Sequence, residues 1–191
     1  MLNPLNPFMK QLLLSILMML LPLLANAESV EINGIYYNLS TNTNTAEVTH
    51  HPYDLGYYSG DIVIPETVNY EGISYSVTSI GWEAFFRCSG LTSITIPDGV
   101  TFISKSVFSG CENLVAIIVE NGNPIYDSRN NCNAIIRTAD NELIAGCKKT
   151  VIPNSVTSIG IEAFSFCSLL TSIIIPNSVT SIADYAFSGC I

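Results

Sequence analysis

The chain has 191 residues, nearly half of them hydrophobic, with 16 acidic against seven basic side chains and a formal charge of −9. That balance argues against nucleic acid or an anionic membrane surface as partner, since both call for clustered Lys and Arg. It suits a protein kept soluble by its own charge.

Residues 1–27 read as a signal peptide. Lys10 supplies the positive end, Leu12 to Leu24 is apolar apart from Ser15 and Pro22, and Ala25-Asn26-Ala27 is an A-x-A cleavage site. The apolar run is too short to span a bilayer, and no second one is long enough. Cleavage would leave a secreted chain starting at Glu28, with 164 residues and a charge of −10. That is enough for one domain with its own core.

Residues 28–76 read as an N-terminal β cap that ends in a first repeat-like strand. Ile32 to Tyr37 and Ala46 to Thr49 are short strands around the polar stretch Ser40 to Thr45. Asp61-Ile62-Val63-Ile64-Pro65 has the form of a strand end. Between Val68 and Val77 the pattern predicts a hairpin that turns at Glu71-Gly72.

From Val77 the chain repeats itself. VTSIGWEAFFRCSGLTSITIP begins at Val77, VTFISKSVFSGCENLVAIIVE at Val100, VTSIGIEAFSFCSLLTSIIIP at Val156, and VTSIADYAFSGCI at Val179. Val77 to Val100 and Val156 to Val179 are each 23 residues. Phe85, Phe108, Phe164 and Phe187 recur at one position, and Cys88, Cys111, Cys167 and Cys190 at another. A period of this length marks stacked units, none of which can bury its apolar residues alone. Leu91, Ile94 and Ile96 predict a short half-buried strand stopped by Pro97. Ala84, Phe85 and Cys88 predict a turn or two of helix with one face inward.

These residues resemble the leucine-rich repeat of the BspA-like type, built on VTSIGxxAFxxCxxLTSIxIP, over about 115 residues. The resemblance implies secreted or surface proteins of bacteria that bind host or matrix proteins. With the pattern of the chain, it implies an α/β solenoid: a right-handed coil with a parallel concave β-sheet, short convex helical turns and an N-terminal β cap. The units would be 77–99, 100–120, an irregular coil with a hairpin at 121–155, 156–178, and a truncated 179–191.

In the irregular coil, Ala134 to Arg137 and Glu142 to Ala145 flank Asp140-Asn141, a predicted hairpin tip. Because Val156 follows Pro153 in register, this insertion is expected to project from the stack without breaking it. The last unit stops after Cys190 without its strand, as in a fragment or a truncated gene product. The preceding strand, Ser172 to Ile175, would then present an open edge. The expected consequence is self-association or fraying from about Val179 onward.

Six cysteines in a secreted chain invite disulfides. The four that recur beside the core Phe are expected instead as buried free thiols. Cys132 and Cys147, outside the motif, are the best candidates for a bridge. His50-His51 reads as part of a solvated loop, because neighbours on an extended chain point to opposite sides and rarely share a metal. No nucleophile elbow, carboxylate pair or phosphate loop appears, so neither a cofactor nor an enzyme is indicated.

What remains is a surface. Aligned on the prolines, one outward row of the sheet is Val63, Thr95, Ile118, Val151 and Ile174. Its neighbour is Asp61, Ser93, Ala116, Lys149 and Ser172. A line of exposed β-branched residues suits a protein-binding face, although it would also serve ladder packing alone. The leading expectation is a secreted or cell-surface adhesion-type module, its partner a host or matrix protein by resemblance. The alternative is a structural spacer segment of a longer surface protein, with no binding site of its own.

Overall fold

The computed structural model describes residues 29–191; the predicted signal peptide lies outside the described residues. Strands β1 (Val30–Ile32), β2 (Ile35–Ser40) and β3 (Thr45–Thr49) form an antiparallel meander. The sequence pattern joined β1 and β2 into one strand. Asn33 and Gly34 instead take successive positive φ of 52° and 82°, which makes the tight primed turn that Asn-Gly favours. After β4 (Gly60–Val63), the hairpin of β5 (Thr67–Tyr70) and β6 (Ile73–Ile80) turns at Glu71-Gly72, where the sequence places it.

Beyond the cap come β7 (Leu91–Ile96), β8 (Phe102–Ile103), β9 (Ala116–Val119), β10 (Tyr126–Asp127), β11 (Ala134–Arg137), β12 (Glu142–Gly146), β13 (Ser158–Ile159) and β14 (Ser181–Ile182). They fall into three sheets. One is mixed, β1-β2-β3-β6-β5 with β8 on β6; one is parallel, β4-β7-β9; one is mixed, β10-β11-β12-β13-β14. Each repeat offers its opening V-T-x-I to one row of parallel pairs: β6 with β8, and β13 with β14. The residues after the cysteine form the other row only in the N-terminal half, as β4-β7-β9.

The predicted convex helical turns are not helices. Glu83 (φ 53°) and Arg87 (φ 57°) are left-handed, and so are their counterparts Ser106 and Gly110, Glu162 and Phe166, Tyr185 and Gly189. Two left-handed residues four apart cannot belong to a right-handed helix of L-residues. The segment closes instead as successive tight turns. The N–H of Ala84 donates to Gly81 O, Phe86 to Glu83 O, Cys88 to Phe85 O and Leu91 to Cys88 O, at 2.9–3.3 Å. The apolar spacing of Ala84, Phe85 and Cys88 is that of a helix, but the backbone reaches the same inward face through turns. Among the described residues the helical content is one 3₁₀ turn at Arg129–Asn131.

These turns stack from layer to layer. Phe85 N–H donates to Val107 O and Arg87 N–H to Ser109 O; Phe164 N–H donates to Ala186 O and Phe166 N–H to Ser188 O. Their rings stack as well, Phe85 on Phe108 at 5.6 Å and Phe164 on Phe187 at 5.0 Å, with Tyr58 against Phe85 at 4.9 Å. The repeat cysteine has a specific place in this ladder. The thiol of Cys111 donates to Phe85 O at 3.0 Å and that of Cys190 to Phe164 O at 3.1 Å, each reaching one layer back.

The irregular coil at 121–155 does not project. Ala134, Ile135, Ile136 and Leu143 are fully buried. A register shift between Ile135 and Ile136 in the β11–β12 pair lets adjacent residues both face apolar surroundings. Ile135 joins the N-terminal core, while Ala134 and Ile136 join the C-terminal one. The insertion is thus a layer between two cores. Gly146 stands there at the ring position, its N–H donating to Ala163 O, and the ring of Phe164 fills the space that its missing side chain leaves.

All six cysteines are free, five of them buried and Cys190 half-buried. Cys132 and Cys147, the pair set aside for a bridge, make separate contacts: the Cys132 thiol with Ala134 O, the Cys147 thiol with Asn133 O. No helix among the described residues is long and apolar enough to cross a membrane.

Candidate protein-binding face

The parallel sheet β4-β7-β9 carries the first three positions of both predicted rows. Val63 pairs with Thr95 and Thr95 with Ile118; Asp61 pairs with Ser93 and Ser93 with Ala116. Strand alternation explains the division of labour: Ile94 and Ile117 point into the core and are buried, while Val63 and Ile118 are 64% and 46% exposed. The adjoining row is polar. Thr92 and Ser93 donate their hydroxyls to Asp61 Oδ1 at 2.6 and 2.7 Å, tying β4 to β7. Those two bonds hold the Asp61 carboxyl below its ordinary range.

The rest of each row is not on this sheet. Lys149 and Val151 belong to no strand, because residues 147–151 are turned back on the start of the β11 hairpin. Thr150 N–H donates to Cys147 O and Val151 N–H to Cys132 O, while the Thr150 hydroxyl donates to Asn133 O at 2.7 Å. Ser172 and Ile174 are not in a strand either, lacking an extended neighbour to pair with. Val151 and Ile174 are 70% and 87% exposed, but on no strand.

In place of a fourth strand, a groove of ≈ 450 Å³ runs between Thr95 and Ile118 on one wall and Ser128, Arg129 and Asn130 on the other. Arg129 is held rigid there by Asp127 (2.6 Å), Asn141 (2.8 Å) and Ser155 (3.2 Å). Its bonds to Asp127 raise the already high guanidinium pKa. The Asn-rich stretch at 130–133 was the only sequence signal for this wall: Asn130, Asn131 and Asn133 all take positive φ, which asparagine tolerates well. Among the described residues, no group of three or more His, Cys, Asp or Glu side chains could hold a metal ion.

Known proteins sort the chain by its repeats. The family pattern described as the BspA type leucine rich repeat region matches residues 65–137 and 142–191, in six copies. The copies run through the coil that looks irregular by eye. A leucine-rich repeat protein from Bacteroides ovatus ATCC 8483 is similar in structure, with 30% identity and a TM-score of 0.54. The match covers 83% of this chain but 38% of that one, so the chain spans well under half of that relative's length. Another, from Bacteroides capillosus ATCC 29799, is 24% identical with a TM-score of 0.46, covering 81% of this chain and 87% of that one. A leucine rich cell surface protein from Faecalibacterium prausnitzii A2-165 is 24% identical with a TM-score of 0.45, over 85% of this chain and 52% of that one. Among curated proteins there is no match. On its repeats, and on the leucine-rich-repeat fold they build, the chain belongs to the BspA type leucine-rich repeat family.

Proposed function

We propose that the chain is a non-enzymatic recognition module, secreted or held at the bacterial cell surface, that binds another protein through the β4-β7-β9 face. In this reading the three parallel strands are the concave wall of a right-handed solenoid, and the partner is a host or extracellular-matrix protein. The observation that carries it is the registered β-branched row Val63–Thr95–Ile118, exposed at Val63 and Ile118 and half-buried at Thr95, beside the polar row of Asp61 and Ser93. Exposed apolar residues rimmed by polar ones suit association better than solvent. The core does not need them, since Ile94 and Ile117 already fill the inner face.

The test is capture of matrix and host-surface proteins by the parent chain and by a Val63→Asp/Ile118→Asp double variant. Loss of captured partners from the double variant, with the fold retained by circular dichroism, is the expected result. Equal capture by both would remove this face from the function, and capture of nothing by the parent chain would leave it as a structural spacer.

A second reading concerns self-association. β14 pairs with β13 alone among the described strands, and Ile182 is exposed where its counterparts Ile159, Ile103 and Ile80 are buried. An open edge that carries an exposed Ile182 fits pairing with a second copy. Light scattering that gives a dimer or larger species, broken by Ile182→Lys, supports it; a monodisperse monomer removes it.

A further inference from the structure

Charge is divided unevenly along the chain. Between Ser29 and Phe86 there are seven carboxylates and no Lys or Arg, whereas Arg87 to Ile191 holds eight carboxylates and six basic residues. The N-terminal part also carries seven of the nine tyrosines. Several of these gather on the loop that follows β3. The His51 ring lies 4.7 Å from Tyr36, 4.6 Å from Tyr57 and 6.2 Å from Tyr53. Tyr53 is 89% exposed, and Tyr57 and Leu55 are exposed beside it.

The patch is fixed to the core from below. Tyr57 packs on Tyr58 at 5.5 Å, and Tyr58 continues into the Phe85–Phe108 stack. The Tyr58 hydroxyl accepts the Tyr36 N–H at 3.0 Å and donates to Thr49 O at 2.6 Å, clamping the base of the loop. Tyr36 in turn donates its hydroxyl to Glu31. Rigid tyrosine faces present contact area at low entropic cost. They attract cations through the ring quadrupole, and Glu31 at Tyr36 and Asp54 on the loop add negative charge, while Arg87, whose backbone meets the loop at Gly56, turns its guanidinium onto the Phe86 ring.

We propose that this tyrosine patch is a second interaction surface, independent of the β4-β7-β9 face, and that it docks a basic, Arg- or Lys-rich segment of a partner protein. Guanidinium or ammonium groups would stack on Tyr53 and Tyr57, while the surrounding carboxylates of the N-terminal region steer the segment in. Neutral and acidic ligands would gain nothing from that field.

The test is titration of the full chain with a fluorescein-labelled deca-arginine peptide, with deca-glutamate and a neutral cello-oligosaccharide as comparison probes. Saturable binding of deca-arginine alone, weakened by salt, is expected. Tyr53→Ser/Tyr57→Ser leaves the formal charge unchanged and should weaken that binding about five- to thirtyfold, the loss of two exposed cation–ring contacts. Tyr53→Ser alone, at a position too exposed to disturb the fold, should account for about a two- to fivefold part of it. Glu112→Gln/Asp184→Asn, which removes two charges from the C-terminal half, should leave binding within about twofold of the parent. Undiminished deca-arginine binding by the tyrosine variants would overturn the proposal, and so would preferential binding of the oligosaccharide.

Discussion

Leu91–Ile96 and residues 170–175 open with the same four residues, Leu-Thr-Ser-Ile, and differ only at Thr95 against Ile174. The first is the middle strand of a parallel sheet; the second is no strand at all. Ile94 and Ile96 are buried, whereas Ile173 is half-buried and Ile175 exposed. Local propensity cannot separate the two, since the substitution brings a better strand former to the segment that forms none. The neighbours decide. β7 has β4 on one side and β9 on the other, so the backbone groups on both of its edges find partners. The neighbour due to pair with 170–175 is residues 147–151, whose hydrogen bonds are already spent on Cys132 and Asn133. In this stack a repeat motif specifies a capacity to form a strand, and the layer beside it determines whether the strand appears.

The largest expected effect lies where the two halves meet. Phe164→Ala removes a fully buried ring that stacks on Phe187 and fills the gap at Gly146, and should cost about 3–5 kcal/mol. An unchanged melting temperature would show that the C-terminal core does not depend on that ring.

The comparison itself is sharpened by a matched pair. Ile96→Ala should cost about 2–5 kcal/mol as a buried truncation in a paired strand. Ile175→Ala, at the same repeat position but exposed, should cost less than about 1 kcal/mol. Chemical denaturation of both variants reads the difference directly; equal costs would mean that residues 170–175 are packed as β7 is.

Gly146→Ala tests the boundary layer from its other side. A methyl group there meets the Phe164 ring, and the overpacking should cost about 1–3 kcal/mol. Recovery in a Gly146→Ala/Phe164→Leu double variant would identify the ring as the source of the clash.

The smallest effect is one of pH. Burial pushes the Cys88 thiol up to about 11 and the Cys167 thiol up to about 12, with Cys111 also well above its ordinary value of 9.0. The folded state therefore favours the protonated thiols. Their contribution to stability is complete below pH 9 and is lost as pH rises through 9 towards the folded values near 11–12. Stability should fall over that range, and Cys88→Ala/Cys167→Ala should flatten the fall. At pH 8 the thiols should react with Ellman's reagent slowly when folded and readily once unfolded.

Much of this architecture is legible in the repeats. The recurring Phe, Cys and Ile positions are core positions in all repeats but the last, and the prolines align Val63, Thr95 and Ile118 in the register the sheet adopts. The turns at Glu71-Gly72 and Asp140-Asn141 stand where the pattern puts them. Other features have no signal in apolar spacing. Ala84, Phe85 and Cys88 fit a helix until the left-handed Glu83 and Arg87 are known, and neither residue type announces that conformation. Gly110 and Gly189 at the same repeat position were the available hint. Residues 147–152 look like a strand end because Thr-Val-Ile-Pro matches the motif, but side-chain pattern does not record where their backbone hydrogen bonds go. The stretch expected to fray from Val179 makes backbone bonds to the layer before it. Thr180 N–H donates to Thr157 O and Ala183 N–H to Ile159 O, whereas residues 171–175 pair with no strand.

Residue-resolved hydrogen exchange of the amides in 91–96 and 170–175 tests most directly whether neighbouring layers, rather than the local sequence, make the strand. The amides of Ser93 to Ile96 should exchange only through global or sub-global opening, and those of Thr171 to Ile175 within the fast range of exposed backbone. The amides of Thr180 and Ala183, bonded to the layer before them, should fall between these extremes. Equal protection of the two Leu-Thr-Ser-Ile segments would contradict the account, because it would place a partner beside residues 170–175 and return the decision to the repeat itself.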